Sequence, residues 1–155
     1  MSGVQTVAGT EISISAAKPA TFDATGYAAL TFSKIGEITD GGSHGKTYAE
    51  VTHSPIDTRM VQKFKGSINI GTKTLQLAVD SADAGQIVLK AALDSDADYS
   101  FKVEYQDGDI DYFQAKVMSF DKAAAGVDSI RSATVNLALT GTKTGIGIVE
   151  VPFTP

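Results

Sequence analysis

The chain has 155 residues, a net charge of -5 at pH 7 and no cysteine. The lack of cysteine excludes disulfides, thiolate zinc sites and a cysteine nucleophile, and the acidic balance argues against non-specific binding of nucleic-acid phosphates. No apolar run approaches the roughly 18 residues of a membrane-spanning helix, so no membrane insertion is expected. Charged residues make up only 20% of the chain, which indicates a surface that partner proteins largely cover.

In chain order, the first half of the sequence shows strand patterns separated by turns. Ile12 and Ile14 alternate with polar residues, the period of a half-buried strand, and residues 23–26 indicate a turn. Residues 41–58 contain both histidines and show no sustained periodicity, so we expect a long loop with one short strand at residues 46–52. Further strands are predicted at residues 10–15, 30–38, 59–70 and 73–79.

The middle of the chain contains the only predicted helix. Apolar residues recur at helical spacing over residues 81–93, and Asp80 or Ser81 is expected to cap this helix. Strand patterns follow it, and no alternation of strands and helices points to a parallel sheet. The sequence therefore predicts one domain of mainly β structure: a sandwich or partial barrel of two packed antiparallel sheets with one flanking helix.

A hairpin is predicted after the helix. Residues 99–105 alternate between apolar or aromatic and polar side chains, and Asp107-Gly108 separates them from a second strand. Asp-Gly between two alternating runs is typical of a two-residue hairpin turn. Such a turn places Glu104 opposite Asp111.

Three patterns resemble binding or catalytic sites, and each lacks a required part. Residues 41–47 are similar to a phosphate-binding loop, but the glycine spacing is short by one and no helix follows. Residues 94–98 carry aspartates at the spacing of a calcium loop without its glycine and glutamate. His44 and His53 offer a general base without a catalytic context. We expect no catalytic, cofactor or metal site.

Several short segments occur in a characteristic order, and together they extend over residues 12–151. The clearest are Pro19-Ala20-Thr21-Phe22-Asp23, Ile35-Gly36-Glu37-Ile38-Thr39, Asp83-Ala84-Gly85-Gln86, Tyr99-Ser100-Phe101-Lys102-Val103, Val117-Met118-Ser119-Phe120 and Ile148-Val149-Glu150-Val151. In order and spacing they resemble the major tail tube proteins of long-tailed bacteriophages with non-contractile tails, the lambda-like tail tube family. That family shares its fold with the tube proteins of type VI secretion.

The resemblance implies a structural protein of the virion, without a cofactor and without enzymatic activity. It implies homo-hexameric rings, assembled in the host bacterial cytoplasm and stacked into a hollow tube. Phage DNA then passes through the lumen into the host without specific binding. The implied partners are the tape measure protein inside the tube and the tail terminator and tail-tip proteins at its ends.

The resemblance also implies that loop 41–58 and extended N- and C-terminal segments reach between rings. The residues expected to mediate self-assembly are Gly42, Lys46, Tyr48, His53, Pro55 and Arg59. The residues expected at an acidic hairpin tip or facing the lumen are Glu104, Asp109 and Asp111.

Two other functions are weighed against this one. A carbohydrate- or receptor-binding β-sandwich on a virion or cell surface requires an exposed aromatic platform, whereas most Tyr and Phe residues alternate on predicted core faces. An enzyme would depend on His44 or His53 and ranks behind both binding and structural functions.

Overall fold

The computed structural model describes residues 4–153, which fold mainly into β structure as predicted. In this range there are ten strands and two helices. In chain order they are β1 (Glu11–Ser15), α1 (Ala24–Ala28), β2 (Ser33–Ile35), β3 (Ile38–Asp40), β4 (Thr47–His53), β5 (Gln62–Asn69), β6 (Thr72–Ala78), α2 (Ala84–Leu93), β7 (Tyr99–Glu104), β8 (Ile110–Ala123), β9 (Ser132–Thr140) and β10 (Val149–Val151).

Eight strands form one antiparallel sheet in the order β2-β1-β7-β8-β9-β6-β3, with β10 paired to β8. The two edge strands, β2 and β3, are consecutive in the chain and only Gly36 and Glu37 separate them. Both edges therefore meet, and the sheet curls into a partial barrel. A register shift between Val117 and Ser119 interrupts the β8–β9 pairing and bends the long strand β8. The antiparallel, mainly β fold with a flanking helix is confirmed.

The barrel interior follows from strand alternation. In β9, every second side chain is buried, from Ala133 to Leu139, and its neighbours are only partly covered. Phe101 and Phe113 stack at the centre with ring centroids 5.4 Å apart. Buried residues from β1, β2, β6, β7, β8, β9 and α2 belong to one hydrophobic cluster.

Helix α2 covers the seam, the place where the two edge strands β2 and β3 meet. It begins at Ala84 because the Asp83 carboxylate accepts the Gln86 N–H at 3.0 Å, so the predicted caps at Asp80 or Ser81 are wrong. The same carboxylate accepts the Gly36 N–H at 3.0 Å. The Gln86 amide donates to the carbonyls of Gly36 and Ala78, one beside each edge of the sheet. The helix N-terminus thereby links β2, β3 and β6.

A methyl group at Gly85 is expected to disrupt this seam. A Cβ there lies 2.3 Å from the Lys34 carbonyl oxygen, so helix and strand must move apart. We expect Gly85→Ala to lower the free energy of unfolding by about 2 kcal/mol in urea denaturation. Gly126→Ala is the matched control because a Cβ at Gly126 meets no atom within 4 Å. Equal stability of both variants contradicts the role of this contact.

Two local predictions are corrected. Residues 23–26, predicted as a turn, begin the short helix α1, which Asp23 caps by accepting the Gly26 N–H at 2.8 Å. The β7–β8 hairpin is shifted by one residue, with Glu104 opposite Ile110 rather than Asp111. The reason is a three-residue connection closed by the Tyr105 N–H to the Asp109 carbonyl, with Gly108 in the left-handed region at φ 99°. A one-residue shift exchanges the faces of a strand, and Asp111 therefore lies on the face of Phe113.

Candidate functional site: an exposed arm and a buried polar cluster

The largest exposed feature is the two-stranded sheet formed by β4 and β5, which we call the arm, residues 47–69. Its strands pair with each other and with no strand of the barrel in the described part of the chain. Every residue of β4 is exposed, and in β5 only Gly66 is partly covered. The segment predicted as a long loop thus contains the expected short strand, but that strand belongs to a hairpin. An isolated two-stranded hairpin is only marginally stable in water.

One face of the arm carries no charge. Val51 lies directly opposite Phe64, and His53 lies opposite Gln62 on the same face. Val51 is 51% exposed and Phe64 is 55% exposed, so this pair leaves a contiguous apolar surface in contact with solvent. Gly66 keeps this face flat, because a Cβ there lies 2.9 Å from Val51 Cγ2.

The opposite face of the arm is charged and internally paired. Lys63 Nζ lies 3.8 Å from the Glu50 carboxylate. Lys65 Nζ lies 4.7 Å from the ring centroid of Tyr48. The charges on this face therefore have partners within the arm, which leaves the uncharged face as the one without partners.

A second feature lies where the arm joins the barrel. We call it the polar cluster: His44, Lys73, Tyr105 and Asp111. His44 Nε2 lies 2.7 Å from Asp111 Oδ2, and Lys73 Nζ lies 3.1 Å from His44 Nδ1. The Tyr105 hydroxyl donates to the same Asp111 oxygen at 3.0 Å. The cluster joins the segment before β4 to β6 and to the β7–β8 hairpin.

The charges of the polar cluster depend on one another. Burial lowers the pKa of Lys73 to about 8, although the negative charges of Asp111 and Asp40 oppose the shift. Burial raises the pKa of Asp111, but hydrogen bonds from His44 and Tyr105 and the positive charge of Lys73 outweigh it, so the pKa is lowered overall. Burial and the neighbouring Asp111 charge raise the pKa of Tyr105 to about 12.

These contacts also determine the tautomer of His44. A lysine ammonium has donors and no acceptor, so His44 Nδ1 must accept from Lys73 and Nε2–H must donate to Asp111. The cluster therefore fixes the segment that leads into the arm, residues 42–46, against the barrel; we call this segment the root of the arm. Each polar group of the cluster contacts another.

Comparison with known proteins identifies the family. A model of the lambda phage tail tube protein family matches residues 20–145. The chain belongs to this family. A comparison with curated proteins finds no match. The family is structural rather than enzymatic, so this tail tube protein is a structural component of a phage tail.

Solved structures share the fold at low sequence identity. The sheath/tube terminator of PVC, an extracellular contractile injection system, is 9% identical over 96% of this chain and 97% of that chain, with a TM-score of 0.67. A chain of the anti-feeding prophage baseplate is 10% identical over 97% of both chains, with a TM-score of 0.65. A chain of the PVC sheath-tube complex is 11% identical over 93% and 88%, with a TM-score of 0.58.

The structure distributes the predicted assembly residues of the tail tube protein along the arm and its root. Tyr48 and His53 lie on β4, and Arg59 lies at the tip, where its N–H donates to the Pro55 carbonyl at 3.0 Å. Lys46 is exposed immediately before β4. Gly42 lies against the barrel instead, with φ 65° and a position at which a Cβ would be 2.1 Å from the Thr74 carbonyl oxygen.

The predicted acidic residues separate into two environments. Asp109 lies beside the hairpin turn and accepts the Phe153 N–H at 2.7 Å. Glu104 ends β7 and lies opposite Glu11 of β1. The Asp111 side chain is only 17% exposed and belongs to the polar cluster. His44 and His53, considered together as catalytic candidates, lie at opposite ends of strand β4: His44 precedes it and His53 is its last residue.

Lys73 and Tyr105 were not predicted as site residues, although their inward-facing positions in the strand alternation indicate buried polar groups. Lys73 shares the inward parity of Leu75 and Leu77 in β6, and Asp111 shares that of Phe113 in β8. A polar residue at an inward position indicates a buried partner elsewhere in the chain.

Within residues 4–153, no three acidic or histidine side chains are arranged to hold a metal ion. In the same range, no helix is both long and apolar enough to span a bilayer.

Lys73 is expected to make stability depend on pH. Its pKa is about 8 in the fold against an ordinary 10.5, so between these values the unfolded chain binds more protons and the free energy of unfolding rises with pH. The stabilisation that the fold gains when Lys73 loses its proton is complete above pH 10.5 and is lost as the pH falls towards 8. We expect Lys73→Met to remove the rise in the free energy of unfolding that urea denaturation measures between about pH 8 and 10.5. Lys116→Met is the control, because the Lys116–Asp98 pair is partly exposed, and an unchanged rise in Lys73→Met contradicts the assignment.

Proposed function

We propose that this chain self-assembles into stacked hexameric rings that form the hollow tube of a phage tail. The observation that carries the proposal is the arm, whose uncharged face presents Val51 and Phe64 to solvent without a partner. Apolar surface of this kind gains free energy when another protein covers it. Because the family is that of a tube protein, the covering partner is a second copy of the chain.

Each feature of the arm has a role in this assembly. The uncharged face with Val51 and Phe64, together with His53, contacts the neighbouring ring. Ile56 and Met60, both exposed at the tip, extend that contact beyond the strands. The polar cluster and Gly42 hold the root in one position relative to the barrel, so that assembly does not have to order the root as well.

The composition fits a conduit for DNA. The net charge of -5 means that a polyanion in the lumen is not retained by counterion release, so DNA passes without specific binding. A six-fold arrangement is supported by the fold likeness to a chain of the anti-feeding prophage baseplate, whose structure is described as six-fold symmetrised. We also propose a tape measure protein inside the tube and terminator and tail-tip proteins at its ends. Assembly takes place in the host cytoplasm.

Electron microscopy of the purified protein over a range of concentrations tests the proposal. The expected result is rings or tubes of uniform diameter. A protein that stays monomeric at every concentration, even when the other tail proteins are added, overturns it. Sedimentation velocity of the same samples gives the mass of the smallest assembled species, and a mass other than six chains overturns the hexamer specifically.

A carbohydrate- or receptor-binding module is the alternative function. Its aromatic platform would have to come from the arm, but Tyr48 and Phe64 lie on opposite faces of it. Binding of the isolated protein to a glycan array, with no assembly in the microscope, favours this alternative.

A further inference from the structure

Strand β8 ends in a group of unpaired positive charges, which we call the basic end: Lys90, Lys122 and Arg131. Contact with the amino group of Lys122, and the charge of Arg131, lower the pKa of Lys90. Within residues 4–153 none of the three takes part in an ion pair. Lys90 Nζ lies 5.5 Å from the ring centroid of Phe120, and the like charges of Lys122 and Arg131 repel it.

Exposed apolar side chains lie next to the basic end. Ile130, adjacent in sequence to Arg131, is 78% exposed, and Val127 in the same loop is 98% exposed. Ile87 is exposed one turn before Lys90 on helix α2. Apolar groups beside unpaired charges are characteristic of a surface that another protein covers.

Strand β8 begins beside a group of negative charges, which we call the acidic end: Glu104, Asp107, Asp109 and Glu150. Glu104 lies directly opposite Glu11 across β1 and β7, a like-charge pair that destabilises a sheet. Lys34 pairs with Glu11 at 3.3 Å, and Glu104 and Glu150 are in no ion pair in the described residues. Phe153 is exposed here and covers Gly108 of the turn.

The two ends are separated by the length of β8. The strand has 14 residues, so its ends are at most about 45 Å apart, and the bend between Val117 and Ser119 shortens this distance. Each copy of the chain therefore carries opposite charges, each beside exposed apolar side chains, at opposite ends of one strand. Within residues 4–153, neither group of charges contains an ion pair.

We propose that the acidic end of one copy binds the basic end of the next copy, head to tail. The inference deepens the proposed function, on which it rests, by assigning a second contact between copies besides the arm. A head-to-tail contact uses two different surfaces, so it adds copies in succession rather than closing a symmetric pair. Complementary charge at such a contact orients the copies and rejects reversed ones. The partner is a second copy rather than DNA because this chain carries the matching charges itself.

Two charge-reversed variants test the contact. Lys122→Glu with Arg131→Glu makes both ends acidic, and Glu104→Lys with Asp107→Lys and Glu150→Lys makes both ends basic. Each variant alone is expected to raise the protein concentration needed for assembly by roughly tenfold or more, because like charges then meet across the contact. An equimolar mixture is expected to restore assembly, since each copy then finds an opposite charge at both ends. Light scattering and electron microscopy measure both effects.

The control and the contrary outcomes are specific. Lys18→Glu with Lys143→Glu makes the same charge change beside Gln114, near the middle of β8, and is expected to assemble like the unmodified chain. Circular dichroism and thermal unfolding establish that each variant is folded.

If the unmodified chain assembles and both variants also assemble, or if mixing the variants does not restore assembly, the head-to-tail contact is wrong and the proposed function stands. If the unmodified chain does not assemble, the proposed function fails as well. Loss of DNA binding on reversing the basic end, with assembly unchanged, also overturns the contact.

Discussion

Replacing the arm, residues 47–69, with two or three glycines is expected to leave a folded barrel that no longer assembles. Thr47 lies directly opposite Asn69, so the cut ends are about 5 Å apart and a short linker joins them without strain. The hydrophobic cluster of the barrel contains no residue of the arm. The cut begins at Thr47 because a larger deletion would also remove His44 and break the polar cluster.

The expected loss is complete, since the arm supplies the apolar surface on which assembly is proposed to depend. Electron microscopy should show no rings or tubes, and thermal unfolding should remain cooperative. Two single variants localise the effect: Phe64→Ser on the uncharged face is expected to weaken assembly strongly, and Lys63→Ser on the charged face to leave it nearly unchanged. Tubes of normal diameter from the chain without the arm would falsify the role assigned to it.

Removing the carboxylate of the polar cluster is expected to have the largest effect of any single substitution on the stability of the barrel. In Asp111→Ala, the buried Lys73 loses one of the two negative charges that act on it, His44 Nε2 loses its partner and the Tyr105 hydroxyl loses its acceptor. Breaking a buried ionic contact from one side typically costs about 3 kcal/mol. We expect a decrease of this size in the free energy of unfolding, measured by urea denaturation below the concentration at which assembly begins.

A double variant distinguishes an unpaired charge from a packing defect. Adding Lys73→Met to Asp111→Ala removes the buried cation, so the double variant is expected to be more stable than Asp111→Ala alone by about 1 to 2 kcal/mol. If the two substitutions are simply additive, the loss comes from packing and the electrostatic account of the cluster is wrong. The same variants, examined for assembly, show whether a loosened root also weakens contacts between copies.

The parts of the fold that sequence predicted are those with a buried face. Helix α2 follows from apolar residues at helical spacing, and β9 from the alternation of Val135, Leu137 and Leu139 with polar residues. Their physical signal is local, because each element buries one face in the same domain. The cap was predicted at Asp80 or Ser81 rather than Asp83, since Asp80, Ser81 and Asp83 are all residue types that cap helices.

The two strands of the arm were predicted at residues 46–52 and 59–70, but their pairing into a hairpin apart from the barrel was not. Neither strand buries a face within one chain, so no local pattern indicates where its partner lies. The register of the β7–β8 hairpin was wrong because Asp107-Gly108 fits both a two-residue and a three-residue connection. The polar cluster joins residues that are 67 positions apart, and no local pattern reports such a contact.

Because the polar cluster joins residues that are far apart in the sequence, it forms only late during synthesis of the chain. A chain emerges from the ribosome N-terminus first, so the hairpin of the arm is complete well before Asp111 and the rest of β8 exist. Until then His44 lacks its carboxylate partner and β1 lacks β7, with which it pairs in the barrel. A nascent chain can thus expose the arm but cannot hold it at its final angle. The position of the arm is therefore fixed only after β8 has been synthesised.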